Sequence, residues 1–155
     1  MSTDLHDPRI AMLRRVPFLR GKPAHELARL AELVQHVTAA PGTVLIAEGS
    51  TGREMFMIVD GWAEVSREGA SLAAVGPGEL IGEMAMLDHG ARTATVTAKS
   101  PMSLLVLPSS TFSAFAAEPS VGRGIAAQLT RRLRTIEGAP EPFFWRWLSE
   151  SPTRC

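Results

Sequence analysis

A short segment in the middle of the chain combines a glycine, a carboxylate and an arginine in a way that ordinary turns do not. Gly82 is followed by a run that can form one helical turn, and Arg92 comes shortly after it. The first backbone N–H groups of such a turn have no internal acceptor, so those of Glu83, Met84 and Ala85 can form a nest for an anion. Arg92 adds a forked cationic donor of the kind that binds phosphate. The sequence therefore predicts a site for one phosphate group.

The carboxylate of Glu83 is the unexpected member of this group, because it repels a phosphate bound beside it. It fits the site only if it accepts a hydrogen bond from the ligand or pairs with a cation. A sugar hydroxyl can donate such a bond. This combination indicates a nucleotide whose phosphate carries little charge and whose ribose keeps a free hydroxyl.

The residues around this segment predict a mainly β domain with helices at both ends. Nine of the thirteen glycines lie between Gly42 and Gly90, where short apolar runs alternate with turn residues. This pattern is typical of antiparallel strands in a sandwich or roll. Ala94, Val96 and Ala98 fall on one face of the fifth run, so small side chains face the interior there and leave room for something else. The predicted strands are 44–47, 55–59, 63–66, 72–75, 93–98 and 103–107.

Apolar residues at helical spacing predict helices on either side of the strands. One helix is predicted over 8–15 and another from Pro23 to about Val34. After the strands, Ser109 or Ser110 can cap a short helix, and a longer one is predicted over 119–136. Gly138 and the prolines after it end the last helix. We therefore expect a domain at 1–137 followed by a short aromatic-rich tail at 138–155.

Composition excludes several classes of protein. The 155 residues suffice for one ordinary domain. The 16 Lys and Arg residues balance the 16 Asp and Glu residues, so no net charge draws the chain to nucleic acid or to an anionic membrane. Cys155 is the only cysteine, which excludes an internal disulfide and a thiolate metal cluster. The sequence contains no apolar run long enough to span a membrane and shows no secretory signal, so we expect a cytoplasmic protein.

The central segment resembles the phosphate-binding cassette of the cyclic nucleotide-binding domain. This domain is the sensor module of catabolite-activator transcription factors, cyclic-nucleotide-dependent kinases and gated channels. The resemblance rests on Gly82-Glu83-x-Ala85 and Arg92-Thr93-Ala94, and it extends over about Val16 to Ile136. It implies an eight-stranded antiparallel β-roll, a double-sheet jelly roll, with N-terminal and C-terminal helices. The flanking motifs in the family's order are Val16-Pro-Phe-Leu, Pro41-Gly-Thr-Val-Leu, Glu48-Gly, Phe56-x-Ile-Val-x-Gly61, Gly76-Pro-Gly78, Glu118-Pro-Ser-Val and Ala127-Gln-Leu-Thr-Arg-Arg-Leu133.

The resemblance implies a role for each residue of the cassette. Glu83 would accept a hydrogen bond from the ribose 2′-OH, the hydroxyl left free when the 3′ and 5′ oxygens share one phosphate. Arg92 and the backbone N–H groups of Met84 and Ala85 would hold the cyclic phosphate. Thr93 would donate to a phosphate oxygen.

The resemblance also assigns residues outside the cassette. Leu72, Ala73 and Val75 match positions that line the base and ribose pocket. Arg132, on the last helix, matches an arginine that reaches the site and can pair with Glu83.

Two departures from the family pattern bear on the ligand. Ala91 stands where many members have proline before the arginine, which makes the loop less rigid. Thr93 stands where some members have alanine, and a hydroxyl there is associated with cGMP. The likeness of Arg131-Arg132-Leu133 to bacterial sensors favours cAMP. The predicted ligand is therefore cAMP, with cGMP as the alternative, and no cofactor, metal or catalytic residue is predicted.

The expected function is that of a stand-alone, non-enzymatic sensor that relays ligand occupancy to an effector protein through its last helix. The residues after Glu137 are too few for a DNA-binding module, so we expect no direct DNA binding. The apolar stripe of the helix over 119–137 can pair with its twin in a homodimer. One alternative is a ligand-insensitive roll that serves as an interaction scaffold. A cupin-like metalloenzyme is a weaker alternative, because the four histidines lack the close spacing of a metal site.

Overall fold

The computed structural model describes residues 6–82 and 90–138, and beyond residue 128 it describes one side chain of the last helix, that of Thr130. Within these ranges the helices are α1 (Pro8–Arg14), α2 (Ala24–Ala31), α3 (Ser109–Ala116) and α4 (Pro119–Gly138), with a 3-10 turn at Pro17–Leu19. Asp7 caps α1 by accepting the N–H of Arg9 at 2.9 Å, as an N-terminal carboxylate commonly does. None of these helices is both long and apolar enough to cross a bilayer.

Two four-stranded antiparallel sheets face each other in the described part of the chain. The first has the strand order β1-β8-β3-β6 and the second has the order β2-β7-β4-β5. Neighbours in a sheet are mostly distant in sequence, which is the arrangement of a jelly roll. The strands are β1 (Gln35–Ala39), β2 (Val44–Ile46), β3 (Glu54–Asp60), β4 (Ala63–Arg67), β5 (Ala70–Val75), β6 (Leu80–Ile81), β7 (Thr95–Ala98) and β8 (Met102–Pro108).

The two central strands of the first sheet, β3 and β8, are buried on both faces and separate two apolar cores. On β3, Met55 and Met57 point to the helices, whereas Phe56 and Ile58 point to the second sheet. Strand β8 alternates in the same way, with Leu105 among the residues of the helix side. Burial on both faces explains why these two strands are continuous apolar runs rather than alternating ones.

The structure confirms the mainly β roll with flanking helices and all six predicted strands, with ends shifted by up to two residues. Two strands were not predicted. Of the edge strand β1 only Ala39 is buried, so it lacks a clear alternation of apolar and polar residues. Strand β6 has two residues, Leu80 in the helix-side core and Ile81 in the core between the sheets. A strand of two residues is too short to show an alternation of apolar and polar side chains in the sequence.

Three predicted boundaries were wrong. Helix α2 ends at Ala31 rather than near Val34, and the chain turns before the buried Val34. Neither Ser109 nor Ser110 caps α3, because Pro108 occupies the N-cap position and the N–H of Ser109 donates to the carbonyl of Arg53 at 2.7 Å. Strand β7 begins at Thr95, two residues later than predicted.

Candidate functional site

The backbone of Arg92 is held by the loop that joins β2 to β3. The N–H of Arg92 donates to the carbonyl of Ser50 at 2.8 Å, and its carbonyl accepts the N–H of Gly49 at 2.7 Å. These bonds extend the pairing of β2 with β7, in which Ile46 lies opposite Val96. This loop therefore fixes the backbone of Arg92 independently of the contacts that its side chain makes.

The side chain of Arg92 is turned inward and is only 6% exposed. Its Nη1 donates to the carbonyl of Gly82 at 3.0 Å, and its Nη2 donates to the carbonyl of Glu54. Because β6 pairs with β3, Gly82 comes directly after the pairing of Ile81 with Phe56 and so lies close to Glu54. A guanidinium has five N–H donors, and the described residues accept bonds from two of them.

Two glycines make room for the guanidinium. A Cβ on Gly52 would overlap Nε and Cζ of Arg92. A Cβ on Gly82 would lie 2.7 Å from Nη1 of Arg92 and 2.9 Å from the carbonyl oxygen of Glu54. Gly82 also has φ +86°, which L side chains rarely adopt. Both positions therefore require glycine if Arg92 is to lie where it does.

Arg92 forms no ion pair with any carboxylate of the residues that the structure describes. Burial lowers the pKa of its guanidinium, and the nearby carboxylate of Glu54 opposes this only in part. A buried cation whose charge is only partly compensated is costly, and an anion that binds it offsets that cost. The local chemistry therefore suits a small anionic group.

Strand β5 supplies the three residues predicted to line the rest of the pocket. Val75 is buried in the core between the sheets, and Ala73 is partly buried against that core. Leu72 is the extra residue of a β-bulge, since Val65 lies opposite Ala73 while Ser66 lies opposite Ser71. The prediction that these residues line a ligand pocket is compatible with their partial burial but stays a prediction.

The inward face of β7 is formed by small residues, as the sequence predicts. Ala94, Val96 and Ala98 are all buried, and Thr93 between Arg92 and Ala94 is partly buried. The side chain of Arg92 and these small side chains are thus buried at alternate positions of one segment.

A family model described as the cyclic nucleotide-binding domain matches residues 36–118. The chain belongs to this family. The match includes every strand except the first residue of β1, and it includes Gly52, Gly82 and Arg92.

Several known proteins are similar to this cyclic nucleotide-binding domain. The cAMP-dependent protein kinase regulatory subunit of Yarrowia lipolytica is 35% identical over 97 residues, which are 61% of this chain and 26% of that protein. The cyclic AMP receptor protein of Thermus thermophilus is 31% identical over 127 residues, 78% of this chain and 59% of that protein. The structure of a cAMP-binding acyltransferase from Mycobacterium smegmatis superposes with a TM-score of 0.74 at 29% identity, covering 85% of this chain and 43% of that one. The chain thus spans less than two thirds of each of these relatives.

Four predicted site residues have a side chain, or a whole residue, that the structure does not describe. Glu83, Met84 and Ala85 belong to the segment 83–89, which lies outside the described residues. Arg132 lies in α4, but its side chain is not among those described. Of the predicted phosphate site, the structure thus brings together Gly82 and Arg92, with Thr93 beside them.

The sequence reasoning missed the residues that hold Arg92 in this domain. Only Gly52 could have been found from the sequence, because it is the second glycine of a loop that precedes a buried strand. Glu54, Gly49 and Ser50 act through their backbone atoms. No side-chain pattern could have identified those three residues.

Helix α4 of the domain is docked on the segment that contains the 3-10 turn. A Cβ on Gly124 would overlap the ring of Phe18, so the aromatic side chain lies directly on the helix backbone. Nζ of Lys22 contacts Oε1 of Glu118 at 2.8 Å and Oε2 of Glu26 at 3.1 Å. Oε2 of Glu118 accepts the N–H groups of the first turn of α4 at 2.8 and 3.2 Å. The start of the helix is therefore tied to the N-terminal segment at two points.

Proposed function

We propose that this domain binds a cyclic nucleotide, with cAMP as the preferred ligand and cGMP as the alternative. It acts as a regulatory module and catalyses no reaction. Ligand occupancy is relayed to an effector protein through α4.

The observation that carries the proposal is the buried guanidinium of Arg92. It is enclosed by two carbonyl groups and two glycines, and within the described residues it has no carboxylate hydrogen-bonded to it and three N–H donors without an acceptor. Charge-assisted bonds from an arginine to a phosphate are among the strong hydrogen bonds in proteins. A cyclic phosphodiester fits because it carries one negative charge, which one arginine can neutralise.

Family membership supports the remaining contacts of the ligand. Glu83 would accept the ribose 2′-OH, and the N–H groups of Met84 and Ala85 would complete the phosphate site. The relatives named for cAMP support adenine as the base. The hydroxyl of Thr93, next to Arg92, keeps cGMP as the alternative.

The relay is supported by two contacts that connect the segment before Gly82 to α4 through the 3-10 turn. Gly78, in the corner before β6, lies against Pro17, whose Cγ would be 3.2 Å from a Cβ added to the glycine. The next residue, Phe18, lies on Gly124 of α4. A ligand that contacts the cassette can therefore shift the helix, provided that it binds one arrangement of α4 better than the other. The homodimer through residues 119–137 stays a prediction.

The scaffold alternative is not favoured. A roll that binds no ligand gains nothing from burying an arginine that no carboxylate of the described residues pairs directly, because burial of a charge is costly.

Isothermal titration calorimetry of the full chain with cAMP, cGMP and 5′-AMP tests the proposal. We expect a cyclic nucleotide to bind more tightly than 5′-AMP, because 5′-AMP brings a second negative charge to a site with one described cation. Arg92→Ala should weaken binding by about 2–5 kcal/mol, the usual cost of removing one partner of a buried charge pair.

The matched control is Arg29→Ala, which removes an exposed arginine of α2 and should leave the affinity unchanged. The proposal is overturned if the wild-type chain binds neither cyclic nucleotide, or if Arg92→Ala changes the affinity by less than threefold.

A further inference from the structure

Glu48, in the loop between β2 and β3, joins three segments of the roll. Both oxygens of its carboxylate accept the N–H of Glu68, at 3.2 and 3.3 Å. The hydroxyl of Thr95 donates to Oε1 of Glu48 at 3.3 Å, and the N–H of Glu48 donates to that hydroxyl oxygen at 3.2 Å. The side chain thus links its own loop to the β4–β5 turn and to the start of β7.

The bond to Glu68 has a clear structural reason. Glu68 has φ +51° and is the only residue other than glycine with a positive φ among those described. An L side chain in this left-handed conformation is unfavourable. Hydrogen bonds from its N–H group to a carboxylate help to hold the turn in that conformation.

The position of Glu48 in the loop connects it to the phosphate site. The two residues after it, Gly49 and Ser50, bond to the backbone of Arg92 at 2.7 and 2.8 Å. Thr95, which bonds Glu48, lies three residues after Arg92 along the same segment. The loop is therefore hydrogen-bonded to this segment at two neighbouring places, by Glu48 to Thr95 and by Gly49 and Ser50 to the backbone of Arg92.

We propose that Glu48 is a positioning residue for Arg92, acting through the loop backbone and not by contact with the ligand. This inference rests on the proposed function, because its effect on affinity presupposes that Arg92 binds the phosphate. Loss of the carboxylate frees the loop from β7 and from the β4–β5 turn. The guanidinium is then less well placed over Gly52, and phosphate binding weakens.

The test compares Glu48→Ala and Glu48→Gln by calorimetric titration of the full chain with cAMP and cGMP. Glu48→Ala should weaken binding of the preferred nucleotide by about threefold to tenfold, the range of one or two net hydrogen bonds. Glu48→Gln keeps an acceptor oxygen for Glu68 and Thr95, and it should bind within twofold of wild type. Equal weakening by both variants would overturn the inference, since a loss of charge would then explain the effect.

The matched control is Glu64→Ala, which removes a carboxylate of β4 that pairs with Lys99 at 3.8 Å. It should leave affinity within twofold of wild type. A second variant, Thr95→Val, removes the hydroxyl that bonds Glu48 and should also weaken binding. In the background of Arg92→Lys, Glu48→Ala should have little further effect, whereas a full additive loss would contradict an action through Arg92.

Amide hydrogen exchange without ligand separates this inference from the proposed function. Glu48→Ala should speed exchange of the Arg92 N–H by about tenfold or more, because its bond to Ser50 opens more often. An unchanged exchange rate would overturn the inference even if the chain binds cAMP. Faster exchange would support it even if no cyclic nucleotide binds.

Discussion

The guanidinium of Arg92 occupies the space that a side chain at Gly52 would fill. A Cβ on Gly52 would overlap both Nε and Cζ of Arg92, although forty residues separate the two in the sequence. The candidate anion site at Arg92 therefore requires that residue 52 has no side chain. The same holds for Gly82, where a Cβ would lie 2.7 Å from Nη1.

Gly52→Ala should therefore weaken cyclic nucleotide binding by about tenfold or more, because the added Cβ displaces the guanidinium of Arg92 from its position between Gly52 and Gly82. Burying extra atoms in a filled site typically costs about 1–3 kcal/mol of stability. Calorimetric titration and thermal unfolding measure the two effects. Gly76→Ala is the control, since an added Cβ there meets only the carbonyl oxygen of Gly61 at 3.9 Å. If the two variants bind cAMP alike, Gly52 has no part in the site.

Glu83→Ala should reduce the preference for ribose over 2′-deoxyribose ligands. The proposed contact of this carboxylate with the ribose 2′-OH predicts that cAMP loses affinity while 2′-deoxy-cAMP loses little. The effect on cAMP should be about tenfold to a hundredfold, as expected for a hydrogen bond to a charged group. Competition binding with the two nucleotides measures it. Equal losses for both would refute the contact with the 2′-OH.

Gly124→Val should destabilise the domain by about 1–3 kcal/mol, because the new side chain must displace the ring of Phe18. Urea unfolding measures the change in the free energy of unfolding. Ala127→Val places the same side chain on an exposed position of the helix and should cost much less. Valine has a higher helix propensity than glycine, so propensity cannot account for a loss at Gly124. An unchanged or raised stability of Gly124→Val would show that the contact with Phe18 does not limit this position.

The ion pair of Lys22 and Glu118 should make stability depend on pH at both ends of the range. Burial raises the pKa of Glu118, but hydrogen bonds from Lys22 and from the first turn of α4 lower it more, so it lies below the ordinary 4.5. The bonds to Glu118 and Glu26 raise the pKa of Lys22 above 10.5. A carboxyl with a lowered pKa stabilises the fold above about pH 4.5 and loses this as the pH falls, whereas an amine with a raised pKa stabilises it below about pH 10.5 and loses this as the pH rises.

The pair should therefore stabilise the domain most between about pH 5 and 10. In Glu118→Gln the fall of Tm on the acid side should be shallower than in wild type. Thermal unfolding between pH 3 and 7 measures this. Parallel curves for the two proteins would show that Glu118 titrates alike in the folded and unfolded chains.

Much of the fold was readable because it follows local rules. The runs around Phe56 and Leu105 are continuous apolar segments bounded by turn residues, and both are central strands that are buried on both faces. The edge strand that begins at Gln35 was missed because it is largely exposed and only its pairing with β8 makes it a strand. Helix α4 began at Pro119 as predicted, because proline suits a first helical turn.

The sequence by itself determined which chemistry to expect, since Gly82, Glu83 and Arg92 lie close together along the chain, where the glycine and the arginine suit a phosphate and the carboxylate suits a sugar hydroxyl. Only the tertiary structure decided how Arg92 is held, because its partners at Gly49, Ser50 and Glu54 act through backbone atoms that every residue has. Which backbone groups meet a side chain depends on how distant strands pair, and this is settled only when the two sheets close on each other.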